Sequence, residues 1–322
     1  MSGAPAALWL RSRAKLNLVL RVTGRRDDGY HLLDTLFQAL DLHDDVAVVR
    51  RDAGVSIAVT AEHDRLLVPA DERNLAVRAV RLLQQEVAHH SGLHVQLHKR
   101  IPNGGGLGGG SSNAAAVLRM ANQLLGAPLG HDQLAGLAVR LGADVPFFLR
   151  GGSQWGRGIG DQLQPEQVAA RHFVLVLPPY GCDTAAVYKN YAGRLASPSA
   201  TDTVPRNTVP GNRDAAMGIG YCNELEPAAE QLRPELGRLR RAIADAGHAH
   251  VRMSGSGSTL FVAADDAGQA ARCREELQRA LADTEHRGTG FVTTKTGPAI
   301  DGDQPSTELP ATLCHPPPDP LA

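Results

Sequence analysis

Between residues 14 and 22 apolar and polar positions alternate: Leu16, Leu18, Leu20 and Val22 are apolar, with Lys15, Asn17 and Arg21 between them. Strand side chains point to opposite faces with a period of two, so this predicts a strand with Lys15, Asn17 and Arg21 on its polar face. The alternation returns at Val55–Val59. From Asn74 to His90 the period lengthens, and Leu75, Ala79, Leu82, Leu83 and Val87 form the stripe of an amphipathic helix. A strand follows at His94–Lys99, then a glycine run, a helix from about Ser111 to Leu125, and a helix at His131–Leu141 closed by Gly142. The stretch Gly151–Gly160 reads as a turn between strands.

Near residue 165 a second unit begins. His172–Leu177, Val251–Met253, Leu260–Ala263 and Gly290–Lys295 read as strands, and Thr184–Tyr191, Glu235–Ala246 and Gly268–Ala282 as helices. Strands and helices mixed without strict β-α-β order predict an α+β class for both units, divided as residues 1–165 and 166–299. Ala196–Gly220 and a proline-rich tail at 300–322 lack periodicity and apolar content, and are expected to be unstructured.

A chain of 322 residues exceeds an ordinary single core, which supports two domains. The net charge of −1 gives no basic surplus to hold a nucleic acid, so none is expected as a partner. Cys182, Cys222, Cys273 and Cys314 are scattered with no C-x-x-C pair, which speaks against a zinc site or disulfide framework. No signal-like segment or membrane-length apolar run is visible, and a cytoplasmic protein is expected. Monomer and homodimer both remain open.

The sharpest motif is Pro102-Asn-Gly-Gly-Gly-Leu-Gly-Gly-Gly-Ser-Ser-Asn113, between a strand and a helix. Glycines let backbone N–H groups approach a phosphate, and the helix N-terminus adds aligned donors. A flexible linker is the alternative, but its place between two patterned elements argues against one. Gly104-x-Gly106-x-x-Gly109 fits the dinucleotide fingerprint, yet no acidic residue ends a following strand about 20 positions on. Ser111 stands where a P-loop needs lysine. The run is therefore a phosphate loop of a third kind.

This loop resembles that of the GHMP kinases, the family of galactokinase, homoserine kinase, mevalonate kinase and phosphomevalonate kinase. Ala14-Lys-Leu-Asn-Leu18 is similar to the family's opening strand, Leu141-Gly-Ala-Asp-Val-Pro146 to its catalytic aspartate block, and Met253-Ser-Gly-Ser-Gly-Ser258 to its third, glycine-rich motif. The resemblance runs over about residues 8–297. It implies a two-domain fold with a ribosomal protein S5 domain 2-like N-terminal domain and a ferredoxin-like C-terminal domain. Asp28-Gly-Tyr-His31 is similar to the branch whose alcohol substrate carries a cytidine diphosphate, in the non-mevalonate route to isoprenoids.

The resemblance assigns roles that the residues alone do not. Lys15 by itself reads as a solvated lysine and Asp144 as a turn or capping residue; the resemblance makes them the catalytic pair. ATP is implied at Pro102, Gly104, Gly105, Gly106, Leu107, Gly108, Gly109, Gly110, Ser111 and Ser112, with Asn74 near the base, although Asn74 is also an ordinary helix cap. Mg²⁺ is implied as a bridge between ATP phosphates, touched by Ser111 or Ser112. Asn17, Tyr30, His31, Thr184, Tyr188, Gly255 and Gly257 are implied substrate contacts; for Tyr188 core packing, and for Gly255 and Gly257 a tight hairpin turn, remain alternatives. The chain departs from the family pattern at Arg13 (usually Pro), Asn103 (usually apolar) and Glu224 (usually Asp). Two rivals stay open: another kinase of the same family, and a non-catalytic nucleotide- or RNA-binding protein on the fold.

Overall fold

The computed structural model describes residues 6–63, 66–196, 213–214, 219–298 and 304–313. In chain order the elements are β1 (Ala7–Arg25), β2 (His31–Arg51), β3 (Val55–Ala61), α1 (Leu75–Glu86), β4 (Gly92–Lys99), α2 (Gly109–Leu124), α3 (His131–Leu141), α4 (Phe147–Arg150), β5 (Ser153–Arg157) and β6 (Gln162–Pro165). The later half adds β7 (His172–Leu177), α5 (Thr184–Ala196), β8 (Arg213–Asp214), β9 (Ile219–Gly220), β10 (Cys222–Asn223), α6 (Glu226–Leu232), α7 (Pro234–Asp245), β11 (Arg252–Met253), β12 (Leu260–Ala264), α8 (Ala267–Leu281) and β13 (Gly290–Lys295).

Two sheets carry the fold. The first runs β10-β1-β2-β4-β3, with β5 on the other part of β2 and β6 beside β5. The second runs β11-β12-β7-β13 and is antiparallel throughout. Taking its strands in chain order gives the spatial sequence 4-1-3-2, with α8 crossing between the third and fourth: the ferredoxin-like arrangement. Helices α1, α2 and α3 cover the first sheet through Val80, Leu83, Val117, Leu118 and Leu137, and α7 and α8 cover the second through Leu239, Ile243 and Leu277. A third cluster joins them: Leu16, Leu18, Leu36 and Leu107 pack with Phe173, Leu175 and Phe261. Strand β10 lies past residue 165 yet pairs in parallel with β1, so the two units are stitched as well as packed.

Strand β1 differs from its sequence pattern in two ways. Everything from Ser12 to Leu20 is buried, so the polar face is covered rather than solvated, and Lys15 and Asn17 are each only 3% exposed. The register also slips between Asn17 and Val19, leaving Leu18 as an extra bulged residue. A bulge swaps the faces of all later residues on its strand. Leu20 therefore leaves the side of Leu16 and Leu18 and lines a cavity with Lys15 and Asn17.

The long strand β2 was not foreseen. Its middle is buried on both faces, with Thr35 and Gln38 as deeply enclosed as Leu36 and Leu40, and no period of two survives. The tail also corrects expectation in part. Ser306 forms a two-way backbone bridge with Trp9, at 2.9 and 3.1 Å, a 3₁₀ turn spans Ala311–Leu313, and Leu313 is buried. A buried leucine, a ladder position and a hydrogen bond from Thr312 Oγ1 to Asp45 help to dock a segment whose proline content suggested none. Of the other segment expected to be unstructured, 197–212 and 215–218 lie outside the described residues, as do 300–303 and 314–322 of the tail.

Candidate active site

The glycine loop is held from behind. Its backbone carbonyls accept from the scaffold: Gly105 O from Thr259 N at 3.2 Å, Gly106 O from Ser254 Oγ at 3.0 Å, and Leu107 O from Lys15 N at 2.9 Å. Among the described residues the N–H groups of Gly104 to Gly108 donate no hydrogen bond. Carbonyls occupied and amides free is what an anion site requires. Glycine is demanded by sterics at Gly106, where φ is +76° and an added Cβ would lie 2.1 Å from Ser254 O. Gly108, at φ +71°, caps the N-terminus of α2, and a Cβ there would press on Phe148 and Lys15.

Beneath the loop lies a buried polar network for which the sequence offers no motif. Lys99 and Asp44, 2% and 0% exposed, form an ion pair. Asp44 Oδ1 also accepts from the N–H groups of Arg100 and Ile101 at 2.7 and 2.8 Å. Asn113 Oδ1 accepts from Lys99 at 3.0 Å, while its Nδ2 donates to Asp44 at 2.9 Å and to Ser12 at 2.8 Å. Ser12 donates to Ser112 at 2.8 Å. Burying a charge is costly unless it is paired and its remaining sites are filled. Here Asp44 accepts four hydrogen bonds and Lys99 donates two, within a network drawn from β1, β2, β4 and α2 that ties the first turn of α2 to the sheet.

One cavity of about 1250 Å³ opens above this network. At one end are Pro102, Asn103, the six glycines, Leu107 and Ser111; in the middle Lys15, Asn17, Asp144 and Gly255; at the other end Tyr30, His31, Thr184 and Tyr188. Lys15 Nζ donates to Asn17 Oδ1 at 2.5 Å and faces Asp144 Oδ2 at 3.5 Å. Asn17 Nδ2 in turn donates to Thr35 Oγ1, which donates to Val19 O. Asp144 sits in the turn between α3 and α4, set by the stop at Gly142 whose carbonyl accepts from Val145 N at 3.1 Å. The Ser254–Ser258 turn closes against this pair, held by Asn223 Nδ2, which donates to Met253 O and Gly255 O. Thr184 and Ser256 share a 2.8 Å hydroxyl contact, tying α5 to the same turn.

At the far end the His31 and Tyr188 rings stack, 5.1 Å between centroids and 29° between planes. Burial first, then the charge of Arg25, lowers the His31 pKa, and the buried His31 Nε2 has no partner among the described residues. Burial and the Asp144 charge push the Tyr188 phenol up, so it stays a neutral donor. Tyr30 is 59% exposed.

Three expected residues stand apart from the cavity. Ser112 is 2% exposed and turned to Ser12, which leaves Ser111 as the loop hydroxyl facing the cavity. Asn74 caps α1 by accepting from Ala76 N at 3.0 Å, while its neighbour Leu75 reaches the cavity. A Cβ on Gly257 would meet Met253 and Cys182, so that residue serves the turn rather than the wall. Arg25, Lys189, Leu33 and Ile159 line the cavity and were not foreseen. The register Arg25↔His31 offered a signal for the first, once β2 is recognised.

Comparison with known proteins shows the family and the fold. Residues 74–152 match the family model for the GHMP kinases N terminal domain, and residues 211–283 that for the GHMP kinases C terminal. A 4-diphosphocytidyl-2-C-methyl-D-erythritol kinase of Thiobacillus denitrificans is 40% identical over 281 residues, covering 87% of this chain and 92% of that protein. One from Synechococcus sp. is 38% identical over 315 residues, 94% and 99% of the respective chains. A crystal structure of 4-(cytidine 5'-diphospho)-2C-methyl-D-erythritol kinase superposes with a TM-score of 0.70 at 34% identity, over 90% of this chain and all of that one. A homoserine kinase from Cytophaga hutchinsonii reaches 0.64 at 19% identity, over 95% and 99% of the two chains, a likeness of fold. The chain belongs to the GHMP kinases and, within them, to the 4-diphosphocytidyl-2-C-methyl-D-erythritol kinase family.

Proposed function

We infer that the chain transfers the γ-phosphoryl group of ATP to the 2-hydroxyl of 4-diphosphocytidyl-2-C-methyl-D-erythritol, giving the 2-phosphate and ADP in the non-mevalonate pathway to isoprenoid precursors. The observation that carries this reading is the continuity of one cavity from the glycine loop, past Lys15 and Asp144, to the His31–Tyr188 stack. Mevalonate and homoserine have no base to place at an aromatic end.

The free amides of the loop and the N-terminus of α2 would hold the triphosphate. Asn17 and Asp144 would orient the attacking hydroxyl, and Asp144 would take its proton as the new O–P bond forms and the bond to the ADP oxygen breaks. The Lys15 ammonium, held by Asn17, would offset charge developing between hydroxyl and phosphorus. Such transfers depend mainly on positioning and electrostatics.

No group of three His, Cys, Asp or Glu side chains able to hold a metal exists among the described residues. A Mg²⁺ would be held by the triphosphate together with the Ser111 hydroxyl, the loop hydroxyl that lines the cavity while Ser112 is bound to Ser12. Mg²⁺ would supply neutralisation of phosphate charge. Tyr30 and Tyr188 would offer ring faces to cytosine and His31 Nε2 an edge contact.

The test is phosphate transfer from ATP and Mg²⁺ to this substrate, with mevalonate and homoserine alongside. Turnover restricted to the cytidine substrate is expected. A folded, ATP-binding protein that turns over one of the other alcohols instead would overturn the reading.

A further inference from the structure

A substrate that joins a cytidine to an alcohol through a diphosphate brings a second phosphate group into the cavity, separate from the triphosphate at the glycine loop. The charge of that bridge needs its own partners. Lys15 is committed to Asn17 and Asp144. Asp28 has the wrong sign and pairs with Arg26 at 2.7 Å. The remaining charged side chains on the cavity wall are Arg25 and Lys189. Neither forms an ion pair among the described residues; Arg25 Nε donates only to Gly29 O, at 3.2 Å.

Their placement is specific. Arg25 and His31 are directly opposed in the β1–β2 ladder, so their side chains stand on the same face, with Cβ atoms about 5 Å apart. The lowering of the His31 pKa by the Arg25 charge is the electrostatic trace of that proximity. Lys189 follows Tyr188 directly on α5. The two cations thus line the same cavity as the His31–Tyr188 stack, one from the sheet and one from the helix.

Resting on the kinase reading above, we propose that Arg25 and Lys189 form a two-sided clamp for the diphosphate bridge of the cytidine substrate. They make the protein select a nucleoside diphosphate over the bare nucleoside. Arginine offers a planar fork for two phosphate oxygens and lysine a point charge, a division suited to two linked phosphates. Both side chains are exposed before binding, so each contributes modestly alone and more once the substrate excludes water.

The experiment compares the parent with Arg25→Gln, Lys189→Gln and the double variant in two assays. In direct binding, CDP is expected to bind the parent about 100-fold more tightly than cytidine, the gap to close about tenfold in each single variant, and to vanish in the double. In turnover, KM for the cytidine substrate should rise in parallel, with kcat and KM for ATP unchanged, and the rise of KM with added salt should flatten in the double variant. Because both residues are exposed, loss of the fold does not confuse the result. A double variant that keeps the CDP preference and salt dependence overturns the clamp. Failure of the parent to use the substrate overturns instead the kinase reading, which the CDP assay does not require.

Discussion

At the phosphate end of the cavity the polar groups that set the geometry lie out of reach of water: Lys99, Asp44, Asn113, Ser12 and Ser112 are all within 2% of full burial. At the base end Tyr30 is 59% exposed, Arg25 and Lys189 face solvent, and only the His31–Tyr188 stack is in place. The contrast matches the chemistry proposed for each end. Phosphoryl transfer depends on donors already aimed before the reaction, and a buried, hydrogen-bonded network supports the loop that would supply them. Recognition of a base depends on surface removed from water when the ligand arrives, and an open aromatic ring has that surface to give. Defects at the first end should therefore appear in rate or stability, and at the second end in affinity.

The strongest break lies where the two ends meet. Asp144→Asn keeps the shape of the side chain but cannot accept the proton, and kcat should fall about 100- to 10,000-fold with KM for both substrates nearly unchanged. Steady-state kinetics of the purified variant decide it; a fall of less than about tenfold would leave Asp144 with no essential part in the transfer. Under the loop, Asp44→Ala strands the Lys99 charge and three further donors. A loss of about 3–5 kcal/mol of folding stability is expected, read by denaturant unfolding. An equal substitution at the base end, Tyr30→Ala, should leave that stability within about 0.5 kcal/mol and raise KM for the cytidine substrate alone.

Legibility in the sequence divides along the same line. The glycine loop announced itself because its function is carried by backbone, and backbone freedom is written as glycine. Lys15 and Asp144 drew notice only through the resemblance of the short blocks around them, and the structure brings them within 3.5 Å of each other. Lys99, Asp44 and Asn113 were not, since each is an ordinary polar residue until three strands and a helix bring them together across 55 and 69 positions of chain. Strand β2 stayed hidden because burial on both faces erased its period, and with β2 went the register that places Arg25 beside His31. The bulge at Leu18 has no mark in composition at all, yet it decides that Leu20 faces the cavity.

A smaller effect tests how far the rigid end extends. Thr312 Oγ1 donates to Asp45 at 2.6 Å, next to Asp44, and Leu313 is buried against the same region. Asp45 also binds Arg100, whose N–H reaches Asp44. Deleting residues 301–322 should cost about 2–4 kcal/mol, from one buried leucine and a few hydrogen bonds. Activity at low temperature should be kept, because none of these contacts reaches the cavity wall. Matched melting curves and kcat values check both halves, and a change in kcat without a change in stability would contradict the docking.

The finest test is the charge state of the base end. His31 is held below the ordinary histidine pKa of 6.5, first by burial and then by the positive charge of Arg25. The unfolded chain therefore binds this proton more readily than the folded one, and the stability due to neutral His31 is present above pH 6.5 and lost as pH falls through the folded value. Removing Arg25 as Arg25→Gln takes away the smaller cause and leaves the larger. The folded pKa should rise part of the way toward 6.5, visible in the titration of the ring by NMR, and the acid loss of stability should shrink with it. If the ring titrates unchanged, burial alone accounts for the shift, and the arginine is too far from His31 to share one phosphate-binding wall with it.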